Sequence, residues 1–169
     1  MKRLMLMRHG EAQDLEQGQP DMWRRLSRKG VSDMQHLHRQ LLAEGLLPQF
    51  ALASSANRTE MTLLEVMGGL DYDGDMDFSE ALYNAEAQGI IAAAQALDDK
   101  FESALIVAHN PGIYQAIVEL VGEAHHPELL KKIGGNYKSG TLTILDCPVE
   151  NWAALAPQKN KLTKIFIPG

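Results

Sequence analysis

The fold is decided by the stretch Leu4-Met5-Leu6-Met7-Arg8-His9-Gly10-Glu11, in which four apolar residues run directly into an arginine and a histidine. A short apolar run that ends at polar residues and glycine predicts a buried strand. The run Ala104-Leu105-Ile106-Val107-Ala108, rich in aliphatic residues, leads in the same way into His109-Asn110-Pro111-Gly112. A third strand, Phe50 to Ala53, leads into Ser54-Ser55-Ala56-Asn57-Arg58. Three predicted strands therefore end at residues with polar or cationic side chains.

Amphipathic stretches with helical spacing separate these strands. Alternation of strands and helices predicts an α/β fold with three layers, a mixed but mostly parallel sheet and helices on both of its faces. The predicted helices run from Ser27 to Gly45, from Asn57 to Met67, from a cap at Asn84 through Leu97, and from a cap at Asn110, with Pro111 at the first position, to Leu120.

The C-terminal part has a different pattern. Thr141 to Leu145 alternates like a half-buried strand, and Trp152 to Leu155 and Lys164 to Ile167 are predicted as strands with no helix between them. Strands in direct succession predict an antiparallel edge on the sheet. We expect a loop at Lys131 to Ser139, and another at Asp71 to Asp77 that leads into a short strand. No repeat or linker interrupts residues 1–169, so we expect a single domain.

Composition and charge narrow the class of protein. The chain has 169 residues, of which 45% are hydrophobic and 22% charged, a balance typical of globular proteins. A formal net charge of -6 argues against a nucleic-acid surface. The apolar run Leu4 to Met7 is too short for a signal peptide or a membrane span. Cys147 is the only cysteine, which excludes an internal disulfide and favours the cytoplasm.

Two histidines and two arginines are expected to converge. Ligands of open α/β sheets bind outside the carboxyl ends of the strands, where Arg8, His9 and His109 fall, and Arg58 begins the helix after the third strand. Guanidinium groups match phosphate oxygens bidentately, and helix N-termini offer free N–H groups. The set Arg8, His9, Arg58 and His109 therefore predicts a site for a phosphoryl group.

The motifs around these residues resemble the histidine phosphatase superfamily, also called phosphoglycerate-mutase-like. The small size and the segment Lys138-Ser139-Gly140-Thr141 are most similar to its phosphohistidine phosphatase SixA branch. Two positions depart from the family pattern: Met61 stands where Gln is common, and Arg24-Arg25-Leu26-Ser27 stands where Arg-Pro-Leu-Thr is common. The matching motifs are Leu6 to Ala12, Arg25 to Gly30, Ser54 to Thr62, Glu80 to Tyr83 and Val107 to Gly112.

The resemblance implies a metal-independent phosphatase that needs no cofactor. His9 would be the nucleophile that becomes phosphorylated, while Arg8, Arg58 and a protonated His109 would hold the phosphoryl oxygens. Glu80 is the candidate proton donor, although four aspartates lie nearby in sequence. Activity is then expected to fall at low pH as His9 protonates and at higher pH as His109 or the acid loses its proton. The four aspartates are Asp71, Asp73, Asp75 and Asp77.

The implied substrate is a phosphohistidine on a protein or a small phosphomonoester, with neither nucleic acid nor membrane as a partner. Two alternatives stay open at this point: a phosphoglycerate-mutase-like phosphoryl transferase, and a phosphate-sensing module without turnover. The sequence leaves the oligomeric state open.

Overall fold

The computed structural model describes residues 1–69, 72–124, 127–134 and 136–169. In this part of the chain seven strands form one sheet, in the order β3-β2-β4-β1-β6-β7-β5. The strands are β1 (Lys2–Arg8), β2 (Phe50–Ser54), β3 (Asp75–Ser79), β4 (Ser103–Ala108), β5 (Val121–Ala124), β6 (Leu142–Cys147) and β7 (Asn160–Phe166).

Five helices cover the two faces of the sheet, which confirms the predicted α/β fold. Side chains along β1 alternate between two cores: Leu4 and Leu6 pack in one, Met5 and Met7 in the other. Because neither face of a strand covered on both sides contacts water, its sequence is a continuous apolar run. The helices are α1 (Arg28–Ala43), α2 (Asn57–Val66), α3 (Ala87–Gln95), α4 (Gly112–Leu120) and α5 (Pro127–Ile133).

The strand directions bring the predicted site residues to one edge. Strands β3, β2, β4 and β1 are parallel, and Arg8 at the end of β1 pairs with Ala108 at the end of β4. Strand β6 is antiparallel to both β1 and β7, which confirms the predicted antiparallel pairing. Strand β5, which the sequence pattern did not reveal, lies parallel to β7 at the outer edge.

The strand predicted at Trp152 to Leu155 is wrong, because this segment forms a 3-10 helix at Trp152–Ala154. The Asn151 side chain caps it by accepting from the Ala154 N–H. The Trp152 ring is fully buried and donates its Nε1–H to the Phe101 carbonyl at 3.0 Å. Burial of one large ring, rather than pairing with a neighbouring strand, determines the conformation here.

Other boundaries also differ from expectation. The loop predicted from Lys131 begins inside α5, and the acidic segment predicted as a loop contributes its end to β3. Helix α3 has Glu86 rather than Asn84 at its N-cap, and α4 has Pro111 rather than Asn110. These shifts of one or two residues are the usual uncertainty of helix ends. Asp71 and Gly135 lie outside the described residues.

Within the described ranges, no helix combines the length and apolar character needed to cross a membrane.

Candidate active site

His9 and His109 meet at the carboxyl edge of the sheet. His9 directly follows β1 and His109 directly follows β4, and the centroids of the two imidazole rings are 5.3 Å apart with a tilt of 58°. The parallel pairing of the two strands explains this proximity, because their ends lie side by side. A single tetrahedral anion is small enough to contact both rings at this separation.

The His9 ring is buried and presents one unprotonated nitrogen. Its Nδ1 lies 2.7 Å from the Gly10 carbonyl oxygen and must donate its proton there, which leaves Nε2 with a free lone pair. Burial lowers the pKa of His9 to about 3; the bond to Gly10 opposes this, and the positive fields of His109, Arg58 and Arg8 add to it. The ring is therefore neutral near pH 7, as a nucleophile requires.

His109 is held between a hydroxyl and a guanidinium. Arg58 Nη2 donates to its Nδ1 at 3.4 Å, so Nε2 carries the proton and donates to Ser54 Oγ at 2.8 Å. Burial and then Arg58 lower the pKa of His109 to about 4, while Asp21 opposes the shift. This environment favours a neutral ring, in contrast to the protonated His109 expected from the sequence.

The Arg58 side chain is nearly buried in the first turn of α2. Its Nη1 donates to the Asp21 carbonyl and its Nη2 to Asp21 Oδ2, both at 2.9 Å. The guanidinium also lies 6.0 Å from the centre of the Tyr83 ring. The Arg58 Nε–H is buried and has no hydrogen-bond partner, so it is a donor that a bound oxyanion would satisfy.

Asp21 is the residue at this site that sequence reasoning missed. It begins a 3-10 helix at Asp21–Trp23, and its carboxylate accepts from Arg58 and, at 2.6 Å, from the Tyr83 hydroxyl. Arg24 Nη2 lies 3.3 Å from the other carboxylate oxygen. The Tyr83 hydrogen bond and then Arg58 hold the pKa of Asp21 below its ordinary value, so it is ionised. The residues before Asp21 show no helix or strand periodicity from which its position could have been predicted.

Arg8 is oriented by main chain from the segment that precedes β6. Its Nη1 donates to the Tyr137 carbonyl at 2.8 Å, and Asn110 Nδ2 donates to the same oxygen at 3.1 Å. The Tyr137 ring is buried, and its hydroxyl lies 2.8 Å from Thr143 Oγ1. The Arg8 Nε–H, like that of Arg58, is buried and without a partner.

Glu80, the candidate proton donor, lies near the site but does not contact it. It directly follows β3 at the same edge of the sheet, and its side chain is exposed. Within the described ranges, no hydrogen bond or ion pair joins it to Arg8, His9, Arg58 or His109. Asp75 lies 3.6 Å from Lys100, and Asp77 accepts from the Phe78 N–H, so these two aspartates have other partners.

A cavity of about 420 Å³ opens beside Arg58 and His109. Residues 83–86, residues 110–112 and Gln115 supply the rest of its wall, and Gly112 brings the first two segments into contact. A Cβ at Gly112 would lie 2.1 Å from the Ala85 carbonyl oxygen, so only glycine allows this approach. The lining residues are Arg58, Tyr83, Asn84, Ala85, Glu86, His109, Asn110, Pro111, Gly112 and Gln115.

A mycobacterial protein is similar to this chain in sequence. No protein-family model matches the chain. An uncharacterized protein of Mycobacterium leprae is 24% identical over 145 residues, which cover 86% of this chain and 87% of that protein.

Solved structures of the SixA group match nearly the whole chain. A candidate phosphohistidine phosphatase SixA of Agrobacterium tumefaciens has a TM-score of 0.81 at 21% identity, over 99% of this chain and 98% of that one. A candidate SixA of Nakamurella multipartitia has a TM-score of 0.79 at 25% identity, over 99% and 96%. A protein histidine phosphatase SixA complexed with tungstate has a TM-score of 0.75 at 19% identity, over 98% and 97%. The resemblance stated from the sequence motifs is thus confirmed in the fold.

Proposed function

We propose that this chain is a phosphohistidine phosphatase that hydrolyses its substrate through a covalent phosphohistidine at His9. The observation that carries the proposal is the free Nε2 of a neutral, buried His9 ring, 5.3 Å from the His109 ring. The likeness to SixA structures supports the substrate class. One of those proteins is complexed with tungstate, which is a tetrahedral oxyanion like phosphate.

In the first step the Nε2 lone pair of His9 forms a bond to phosphorus while the bond from phosphorus to the leaving group breaks. The bonding electrons go to the leaving nitrogen, which takes up a proton. The Gly10 carbonyl holds the Nδ1 proton of His9 and keeps the ring oriented throughout. In the second step water attacks phosphorus, inorganic phosphate leaves, and the neutral His9 ring is restored.

Arg8, Arg58 and His109 hold the three equatorial oxygens in this proposal. Both arginines have a buried Nε–H without a partner, as a site for an oxyanion requires. A dianion next to His109 raises the pKa of its imidazole, so the ring takes up a proton at Nδ1 when substrate binds, and Arg58 Nη2, which donates to that nitrogen in the structure, donates to the oxyanion instead. Loss of one such contact typically costs about 3–4 kcal/mol of barrier, or roughly 10²–10³ in rate.

Glu80 remains the proposed proton donor, with its position at the end of β3 as support. A phosphohistidine ring that is protonated at its other nitrogen leaves as neutral imidazole, whose conjugate acid has an ordinary pKa of about 6.5, so it requires less help from an acid than an alkoxide does. An exposed carboxyl beside the site is therefore better suited to phosphohistidine than to esters. A single buried cysteine, Cys147, is consistent with our proposal that the enzyme acts in the cytoplasm on a phosphorylated protein.

The experiment is a quench under neutral or alkaline conditions after mixing with ³²P-labelled phosphohistidine protein. We expect label on the wild-type chain and none on His9→Asn, which retains an N–H for the Gly10 carbonyl. The matched control is His36→Asn, on the exposed face of α1, which should label and turn over like the wild type. Undiminished turnover in His9→Asn would refute the proposal. Release of inorganic phosphate without an isomerised ester separates the phosphatase from a mutase.

A further inference from the structure

The cavity beside Arg58 and His109 has a composition that favours one chemical class of leaving group. We infer that this cavity is a leaving-group subsite that accepts an N–H donor, such as the imidazole of phosphohistidine, and rejects a leaving group that carries a carboxylate. The inference rests on the proposed function and names the residues that would select its substrate.

The cavity is continuous with the phosphoryl site, because Arg58 and His109 line both. A group attached to a phosphorus atom held by these residues therefore has the cavity as its neighbour. The volume of about 420 Å³ is at the lower end of the roughly 300–1,000 Å³ typical of ligand pockets. This is room for a side chain with some flanking backbone, beyond the phosphoryl group itself.

Asn110 places a hydrogen-bond acceptor in the wall of the cavity. Its Nδ2 donates to the Tyr137 carbonyl, which fixes the orientation of the amide. The Asn110 Oδ1 is buried and has no partner. A buried acceptor without a partner is unfavourable, and a donor from the ligand would satisfy it. The amides of Asn84 and Gln115 offer further acceptor oxygens.

Glu86 makes the wall electrostatically selective. It stands at the N-cap of α3, but its side chain makes no capping hydrogen bond. Among the lining residues the other groups that can carry charge are Arg58, His109 and Tyr83, and Arg58 is already paired with Asp21. A ligand carboxylate in this cavity would face Glu86 without a free cation, and like charges in close contact are strongly unfavourable. An imidazole or a basic peptide meets no such repulsion.

The test compares two substrates across charge variants of Glu86. One substrate is a phosphohistidine peptide, and the other is phosphoserine with its amino group acetylated, an ester whose leaving group carries a carboxylate and no ammonium. Phosphate release at neutral pH gives kcat/KM for each. We expect Glu86→Gln to shift the ratio of the two values toward phosphoserine by about tenfold, and Glu86→Lys by more, since about 1.4 kcal/mol corresponds to a factor of ten.

The control is Glu150→Gln, which removes an equally negative but distant and exposed carboxylate and should leave the ratio unchanged. Exposure of Glu86 makes both of its variants compatible with folding. If both substrates are hydrolysed and the ratio stays within twofold in Glu86→Gln and Glu86→Lys, the subsite is refuted while the proposed function stands. If the wild type hydrolyses neither substrate and His9 takes no label, the proposed function and the subsite both fail.

Discussion

Two neutral imidazoles, His9 buried and His109 half-buried, make the stability of this protein sensitive to acid. In the folded chain burial lowers the pKa of His9 to about 3 and that of His109 to about 4, whereas an unfolded chain has histidines at their ordinary value of about 6.5. Below that value the unfolded state binds more protons than the folded state. Stability from these rings is therefore complete above about pH 7 and is lost as pH falls through 6.5 toward the folded pKa values.

The expected magnitude follows from linkage. Between pH 8 and pH 5 an unfolded imidazole becomes protonated while each folded ring stays neutral, which costs about 2 kcal/mol per ring. The two rings together account for about 4 kcal/mol, a large share of the roughly 5–15 kcal/mol that stabilises an ordinary domain. A variant without both rings should lose correspondingly less stability over the same pH interval.

The assay is urea unfolding at pH 8 and pH 5 for the wild type and for the double variant His9→Asn, His109→Gln. The quantity to compare is the loss in the free energy of unfolding between the two pH values, since carboxylates common to both proteins then cancel. We expect the loss to be smaller in the double variant by about 4 kcal/mol. Equal losses in the two proteins would show that the rings are not held neutral by burial.

Two further changes test the contacts around the site. Replacing Asp21 with Asn removes the charge that pairs with Arg58, and we expect kcat/KM for a phosphohistidine peptide to fall by about 10–100-fold, as for hydrogen bonds to charged groups. The control is Asp33→Asn, which removes a carboxylate paired with Lys29 on α1 and should change kcat/KM by less than twofold. An equal result for both variants would contradict the role of Asp21. Replacing Gly112 with Ala places a Cβ 2.1 Å from the Ala85 carbonyl oxygen, so we expect thermal unfolding to show about 1–3 kcal/mol of destabilisation. An unchanged Tm would show that the segments around Ala85 and Gly112 can move apart without cost.

The central strands could be predicted because their sequences report burial directly. Leu4 to Met7 and Ala104 to Ala108 are apolar at every position, and in the structure successive residues enter opposite cores. Once both runs are recognised as parallel strands, the proximity of His9 and His109 follows from the geometry of the sheet.

The surroundings of these residues could not be predicted, because they depend on segments without a repeating pattern. Asp21 reaches Arg58 from an irregular segment, and its contact with Tyr83 joins residues 62 positions apart. Trp152 and the apolar residues that follow it, through Leu155, suggest a strand, yet the ring is buried from a turn of 3-10 helix. The lowered pKa of His109 could not be predicted either, since desolvation appears only when the packing is known.

One main-chain oxygen, that of Tyr137, holds side chains from both parts of the proposed active site. The Tyr137 carbonyl accepts both from Arg8, at the proposed phosphoryl site, and from Asn110, in the wall of the proposed leaving-group cavity. No substitution of the residue at 137 deletes this atom, because every amino acid supplies a carbonyl. In the proposed site, binding of the phosphoryl group and recognition of its leaving group therefore depend on one oxygen atom, whose position changes only with the backbone at Tyr137.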